Sequence, residues 1–442
     1  MRGWKWTSLA GTREGGLRTM GERAPKTSPV ALERARVPPG VLDVLGRLQE
    51  AGYEAYLVGG CVRDLVSGRV PNDWDVATQA IPGEVQKLFR RVIPTGVAHG
   101  TVTVLVPGGQ VEVTTYRVEA GYADGRRPDR VEFRRDLVED LARRDFTINA
   151  MAFDPKSGEL RDPFGGLEDL ARRTVRCVGD AVARFGEDGL RPLRAVRFAT
   201  VLDFVLDAPT ESAIPGAIPV FRKVAQERVR DEFLKLLLSP AVERGLRLLA
   251  STGLLAAAFP ELVAAVAAGV GAQVAAVPAR AEVRLAALVA STEAREAVLE
   301  RMRLPGRTTE EVRALLAHPL SLDAAAWSDA EVRHWATRLG AARVDDGLWL
   351  AAARGLPAAG EVRAHVDAVL AARPPLSLRE LALDGRGVMD VLGVGPSPVV
   401  GDATQWLLQQ VLETPAHNTA EGLRGLLFAW AEARGLKRGP PG

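Results

Sequence analysis

Leu57 to Thr78, LVGGCVRDLVSGRVPNDWDVAT, brings a double glycine, an arginine and two carboxylates two residues apart into one short window. The apolar run Ala55 to Val58 passes through Gly59 and Gly60 into Cys61 to Val66, a pattern that predicts strand, tight turn and helix start. Glycines there let backbone N–H groups approach an anion closely, and a helix N-terminus adds a favourable dipole. Arg63 falls in the first helical turn, where its guanidinium can grip a phosphate through two donors. Alone, this is also what a structural turn with a surface arginine looks like. Asp73 and Asp75 narrow the reading. Side chains two apart on a strand share a face, so both carboxylates can aim at one point while Trp74 packs behind them. Two like charges so close call for a cation, and hard oxygen ligands suit Mg2+ held together with substrate phosphates.

GGCVRD followed by NDWDVAT resembles motif A of the class II tRNA nucleotidyltransferases, the CCA-adding enzymes, and of their relatives the bacterial poly(A) polymerases. The resemblance implies an α/β head of the polymerase-β nucleotidyltransferase type. In it Asp73 and Asp75 hold two Mg2+, and Gly60 and Arg63 contact the nucleotide. It covers residues 40–240 strongly and 375–425 more weakly.

A chain of 442 residues predicts two to four domains. With 47% hydrophobic and 25% charged residues it has an ordinary globular composition. A net charge of +2 gives no global pull toward nucleic acid, so an RNA surface has to come from local clustering. Two cysteines, Cys61 and Cys177, are too few for a disulfide framework, and a reduced, cytoplasmic setting is the expectation. No apolar run approaches the ~20 residues that span a membrane. Residues 1–36 are rich in Gly, Arg, Ser and Thr and read as a disordered extension without a secretory signal, with Met20 as an alternative initiator.

Folding is expected to begin near Pro38, ahead of an amphipathic helix over 41–48. A helix follows over 81–89, with Pro82 at its start, then a strand over 96–106 and another over 110–116. His99 reads as a structural or phosphate-contacting histidine. Glu112 stands on the last of these strands between apolar neighbours. It can be a solvent-facing strand residue, but the resemblance makes it the third carboxylate and candidate general base. Residues 117–135 are polar and dense in arginine and read as a mobile loop; the family has in this place a loop tied to addition of the final A.

RRDFTINAMA, from Arg143, resembles motif B, and Arg144 is the implied nucleotide contact. DPFGGLEDL, from Asp162, resembles motif C, a hinge between head and neck. From about 180 onward helical periodicity takes over, giving an all-α neck, body and tail.

The decisive neck segment is FGEDGLRPLRAVRF, Phe185 to Phe198. Asp188 and Arg191 are three apart and share a face if both are helical, and Arg194 and Arg197 continue the series as further candidate nucleotide-binding residues. A carboxylate that accepts from an exocyclic amine, beside a guanidinium that donates to a ring nitrogen, suits cytosine and adenine alike. Uracil and guanine present the inverse pattern. EDxxR resembles motif D, which has this role in the family, although alone it reads as a helical salt bridge. Pro192 places the helix start at or just after Asp188 and leaves the aim of Arg191 open. Gln226 to Leu238 resembles motif E, a buttressing helix. His318 and His334 are isolated and read as surface or packing residues.

The division expected is an extension (1–36), head (37–178), neck (179–238), body (239–345) and an RNA-binding tail (346–442). The implied reaction adds C, C and A to the 3′ end of tRNA from CTP and ATP, releasing pyrophosphate, by a monomer or homodimer. A CC-adding or A-adding specialist or a poly(A) polymerase shares every motif. A non-catalytic RNA-binding protein is disfavoured by the intact aspartates.

Overall fold

The computed structural model describes residues 36–97, 100–120, 130–133, 136–321 and 323–436. The expectations for the N-terminal extension and for His99 therefore lie outside the described residues. Helix α1 (Pro39–Glu50) starts on Pro38 and buries Val41, Val44, Leu45 and Leu48, the stripe that spacings of three and four create. It leads into β1 (Ala55–Val58), α2 (Gly60–Val66), β2 (Asp75–Thr78), α3 (Pro82–Leu88), β3 (Val92–Gly96), β4 (Thr101–Val106) and β5 (Gly109–Thr115). Of the strand expected over 96–106, Thr101–Val106 forms β4, while Gly96 ends the preceding strand β3, with which β4 pairs antiparallel.

Strands β6 (Arg117–Ala120) and β7 (Arg130–Phe133) pair as a two-stranded ribbon. The ends of the 117–135 segment are therefore strands, a correction to its reading as loop throughout, because each end supplies a ladder partner for the other. Its centre lies outside the described residues. Helix α4 (Leu137–Ala142) follows, capped by the Asp136 carboxylate, which accepts from the N–H groups of Val138 and Glu139. Then come β8 (Ala152–Asp154), β9 (Glu159–Arg161) and α5 (Gly166–Ala171).

Seven strands form one mixed sheet in the order β3-β4-β5-β2-β1-β8-β9, in which β2 and β5 run parallel. Alternation divides its side chains into two layers. Leu57, Val76, Val111 and Val113 pack with α1, α2 and α3 on one face. Val58 and Ala77 pack with Leu137 and Leu141 of α4 on the other.

Helices α6 (Ala181–Glu187), α7 (Arg191–Leu202), α8 (Ala208–Phe221) and α9 (Gln226–Leu237) follow, and helices continue to Ala433. A continuous apolar core runs from Phe146 through α6–α9 to Val369, while a separate core around Leu407, Leu423 and Trp430 holds the last three helices. Among the described residues no helix is long and apolar enough to cross a membrane.

Candidate nucleotide and metal site

The turn after β1 falls on Gly59, with φ of 77° and ψ of −138°, while Gly60 is the first residue of α2. A Cβ on Gly59 would stand 3.0 Å from Arg144 Nη1 and 3.4 Å from Asp75 Oδ2. Glycine is therefore required twice, by the backbone conformation and by the approach of these two side chains. The sequence pointed to Gly60; the residue under constraint is Gly59.

Asp75 opens β2, and Asp73 lies just before the strand on an exposed turn, with half-buried Trp74 between them packed against the head core. The two aspartates are thus not both strand residues. Asp75 is in parallel register with Glu112 on β5, and the Glu112 N–H donates to the Trp74 carbonyl at 3.0 Å. Both side chains leave the sheet on the face opposite Val76, Val111 and Val113, which is the face that α4 covers. Glu112 is exposed there. Burial, followed by the Glu112 charge, pushes the Asp75 carboxyl up to about 6, with Arg144 opposing and Asp73 adding to the rise.

Arg144 follows α4 and donates from Nη2 to Asp140 at 3.2 Å. Its Nε is buried and has no partner among the described residues. Arg63 forks onto its own neighbour, Nε and Nη2 reaching the Asp64 carboxylate at 2.9 and 3.0 Å, and its Nη1 donates to Asn149 Oδ1 at 2.9 Å. An orphaned guanidinium N–H beside a carboxylate group with excess negative charge fits a polyphosphate carrying divalent cations. Among the described residues no group of three or more His, Cys, Asp or Glu closes a metal site by itself. Cys61 lies beneath, its thiol pushed up to about 12 by burial, and is an inert packing group.

The neck departs from its sequence reading. Helix α7 begins at Arg191 with Pro192 second, as the proline requires, while Asp188 is the non-helical residue after α6. Asp188 and Arg191 therefore share no helix face. Asp188 accepts instead from Arg228 of α9, at 2.9 Å and 3.3 Å, and from the Leu190 N–H at 3.0 Å. Arg191 Nη1 donates to Glu187 at 2.5 Å and to the Arg184 carbonyl at 2.9 Å, and its Nη2 to the Arg143 carbonyl at 2.9 Å. Arg194 grips Asp145 at 2.6 and 2.9 Å, and Arg197 donates to the buried Glu232. Burial alone would raise the Asp145 carboxyl, but Arg194 and the Asn149 amide hold it down at about 2. The structure thus brings Asp73, Asp75, Glu112, Gly60 and Arg144 together in the head, with Arg63 on the helix that Gly60 opens. Arg191, Arg194 and Arg197 sit on α7, Arg191 paired with Glu187, Arg194 with Asp145, and Arg197 with Glu232, which Arg194 also approaches at 3.8 Å. Gly59, Asn149 and Arg228 were missed. Only Gly59 carried a local signal, as half of the glycine pair.

Comparison with known proteins extends this geometry. The family described as "Poly A polymerase head domain" matches residues 55–176, and "Probable RNA and SrmB- binding site of polymerase A" matches 203–266. The Bacillus stearothermophilus CCA-adding enzyme, solved in complex with CTP, is 35% identical, with a TM-score of 0.76 over 90% of this chain and 99% of that one. The chain belongs to the CCA-adding enzyme family. The Lactobacillus johnsonii CCA-adding enzyme is 50% identical over 213 residues, 48% of this chain and 53% of that protein. The sequence match thus spans about half the length of this curated relative. At 22% identity the Thermotoga maritima CCA-adding enzyme, solved with tRNA, shares the fold, with a TM-score of 0.61 over 90% of this chain and 98% of that one.

Proposed function

We propose that this chain is a template-independent tRNA nucleotidyltransferase that adds C, C and A to the 3′ end of tRNA from CTP and ATP and releases pyrophosphate. The observation that carries the reading is the parallel register of Asp75 with Glu112, which puts two carboxylates on one face of the sheet, with Asp73 in the turn that leads into β2 and the partly unpartnered Arg144 close by. The name and CTP complex of the Bacillus stearothermophilus enzyme support it.

In this reading Asp73 and Asp75 hold the metal, Mg2+, and Glu112 is the third carboxylate and general base for the tRNA hydroxyl. Bound divalent cations would favour the 3′-alkoxide and neutralise the leaving pyrophosphate. The backbone at Gly60, with Arg63 and Arg144, holds the triphosphate. Asp188 and Arg191 read the base edge, and Arg194 and Arg197 complete the nucleotide-binding set while keeping α7 aligned through Asp145 and Glu232. Since Asp188 and Arg191 are both paired in this structure, the base has to share or exchange those partners. The units are the head (37–178), neck (179–238), body (239–345) and a tail (346–442) that grips RNA, preceded by the extension (1–36). The enzyme works as a monomer or homodimer in the cytoplasm, a setting that suits its two buried free thiols.

The test is incubation with tRNAs lacking three, two or one terminal nucleotides, each with single labelled nucleoside triphosphates. The expected outcome is completion of all three to CCA with no further growth. Incorporation of C alone, of the terminal A alone, or of long A tails would identify the CC-adding, A-adding or poly(A) relatives instead. No transfer to any of them would leave an RNA-binding protein.

A further inference from the structure

Between the head and α7 runs a line of side chains that neither the metal site nor the base-reading pair includes. Asn149 closes the short 3-10 turn Thr147–Asn149 and is buried. Its Oδ1 accepts from Arg63 Nη1 at 2.9 Å and its Nδ2 donates to Asp145 Oδ1 at 3.1 Å. The other Asp145 oxygen accepts both Arg194 contacts, and the Arg63 and Arg194 guanidinium groups each lie over the Phe198 ring, 5.3 and 5.4 Å from its centroid.

The amide is matched to its place in one orientation only. Its oxygen has to face the cation and its nitrogen the carboxylate; turned over, it would set donor against donor and acceptor against acceptor. An aspartate would put a second carboxylate against Asp145, and an apolar side chain would leave both neighbours short of a buried bond. Arg63 has five donors. Two go to Asp64 and one to Asn149, which leaves one N–H on each terminal nitrogen for an incoming anion.

We infer that Asn149 is a positioning residue: it fixes the guanidinium plane of Arg63 for the triphosphate and ties that grip to Arg194 on α7 through Asp145. This rests on the nucleotidyltransferase reading above and adds to it a residue that acts through another. The triphosphate is common to all four nucleotides, so the effect of Asn149 is blind to the base.

The experiment compares Asn149→Leu and the smaller Asn149→Ser, whose short hydroxyl cannot span both partners, with Arg63→Ala and the double variants. Binding of CTP and of ATP is measured by titration calorimetry, beside KM, kcat and Tm. Loss of Asn149 should weaken CTP and ATP by the same factor, about tenfold, with the preference over UTP and GTP unchanged. The loss should shrink to nothing in the Arg63→Ala background, since coupled residues are not additive. A lowered Tm with wild-type nucleotide affinity in both single variants, or losses that multiply in the double variants, would overturn the inference. If Arg63→Ala itself left binding of both nucleotides intact, the phosphate-site reading would fail instead, and Asn149 with it.

Discussion

The acidic groups of the head and of the neck are treated in opposite ways. In the head no described side chain hydrogen-bonds or ion-pairs with Asp73, Asp75 or Glu112, and burial, then like charge, push Asp75 up to about 6. Around α7 the carboxylates already have cations: Glu187 has Arg184 and Arg191, Asp188 has Arg228, Asp145 has Arg194 and Glu232 has Arg197. Excess charge of one sign makes a ligand set that waits for a counter-ion, whereas a paired set makes a frame. The three head carboxylates are set to receive charge and the paired groups around α7 to keep its shape; on the proposed function, a base would compete for the hydrogen bonds of Asp188 and Arg191.

Removing a head ligand is the sharpest way to break this contrast. Asp73→Ala or Asp75→Ala should lower transfer by about a thousandfold or more with Tm within a few degrees of the parent, because a metal ligand is lost and no ion pair is. Chelation should mimic both variants, with activity restored by added Mg2+. Retained Mg2+-dependent transfer in the two variants would dismiss the site.

The neck should answer differently. Asp188→Ala is expected to raise the relative kcat/KM of UTP and GTP about tenfold or more against CTP and ATP, since the acceptor that excludes them is gone. Arg191→Ala unties Glu187 and two main-chain carbonyls as well, and should lower Tm in addition. Base ratios unchanged in a less stable Asp188→Ala protein would make the pair with Arg228 purely structural.

A smaller effect follows from acid. The folded Asp145 carboxyl is held at about 2, below its ordinary value near 3.9. Its contribution is therefore present in full above pH 4 and is lost as pH falls through 2. That contribution is about 2 kcal/mol. Urea titrations at pH 6 and pH 2 should show a smaller stability difference for Asp145→Asn than for the parent; equal differences would remove Asp145 from the frame. At the low end of the scale stands the exposed pair Arg313–Glu296, whose loss should leave the urea midpoint indistinguishable from that of the parent.

The head was legible wherever its chemistry lies in one continuous stretch. Strand, turn and helix from Ala55 to Val66 follow from apolar run, glycine pair and renewed periodicity, and the closeness of Asp73 to Asp75 follows from two residues of chain. Glu112 needed the resemblance, because only the sheet order, with β5 laid parallel to β2, brings it beside Asp75.

In the neck the sequence pointed to the start of α7, since Pro192 fits a first turn without losing a hydrogen bond. It paired Asp188 with Arg191 by spacing, and tertiary structure decided otherwise. Once Asp188 falls outside the helix, its carboxylate turns to α9, forty residues along the chain, and Arg191 turns back to α6. The Asn149 link and the Gly59 contact with Arg144 arise in the same way. Backbone conformation is set by neighbours a few residues off, and a sequence displays those directly. Which buried charge meets which counter-charge is set by how distant elements pack, because a buried ionic group takes whatever partner the fold puts within reach.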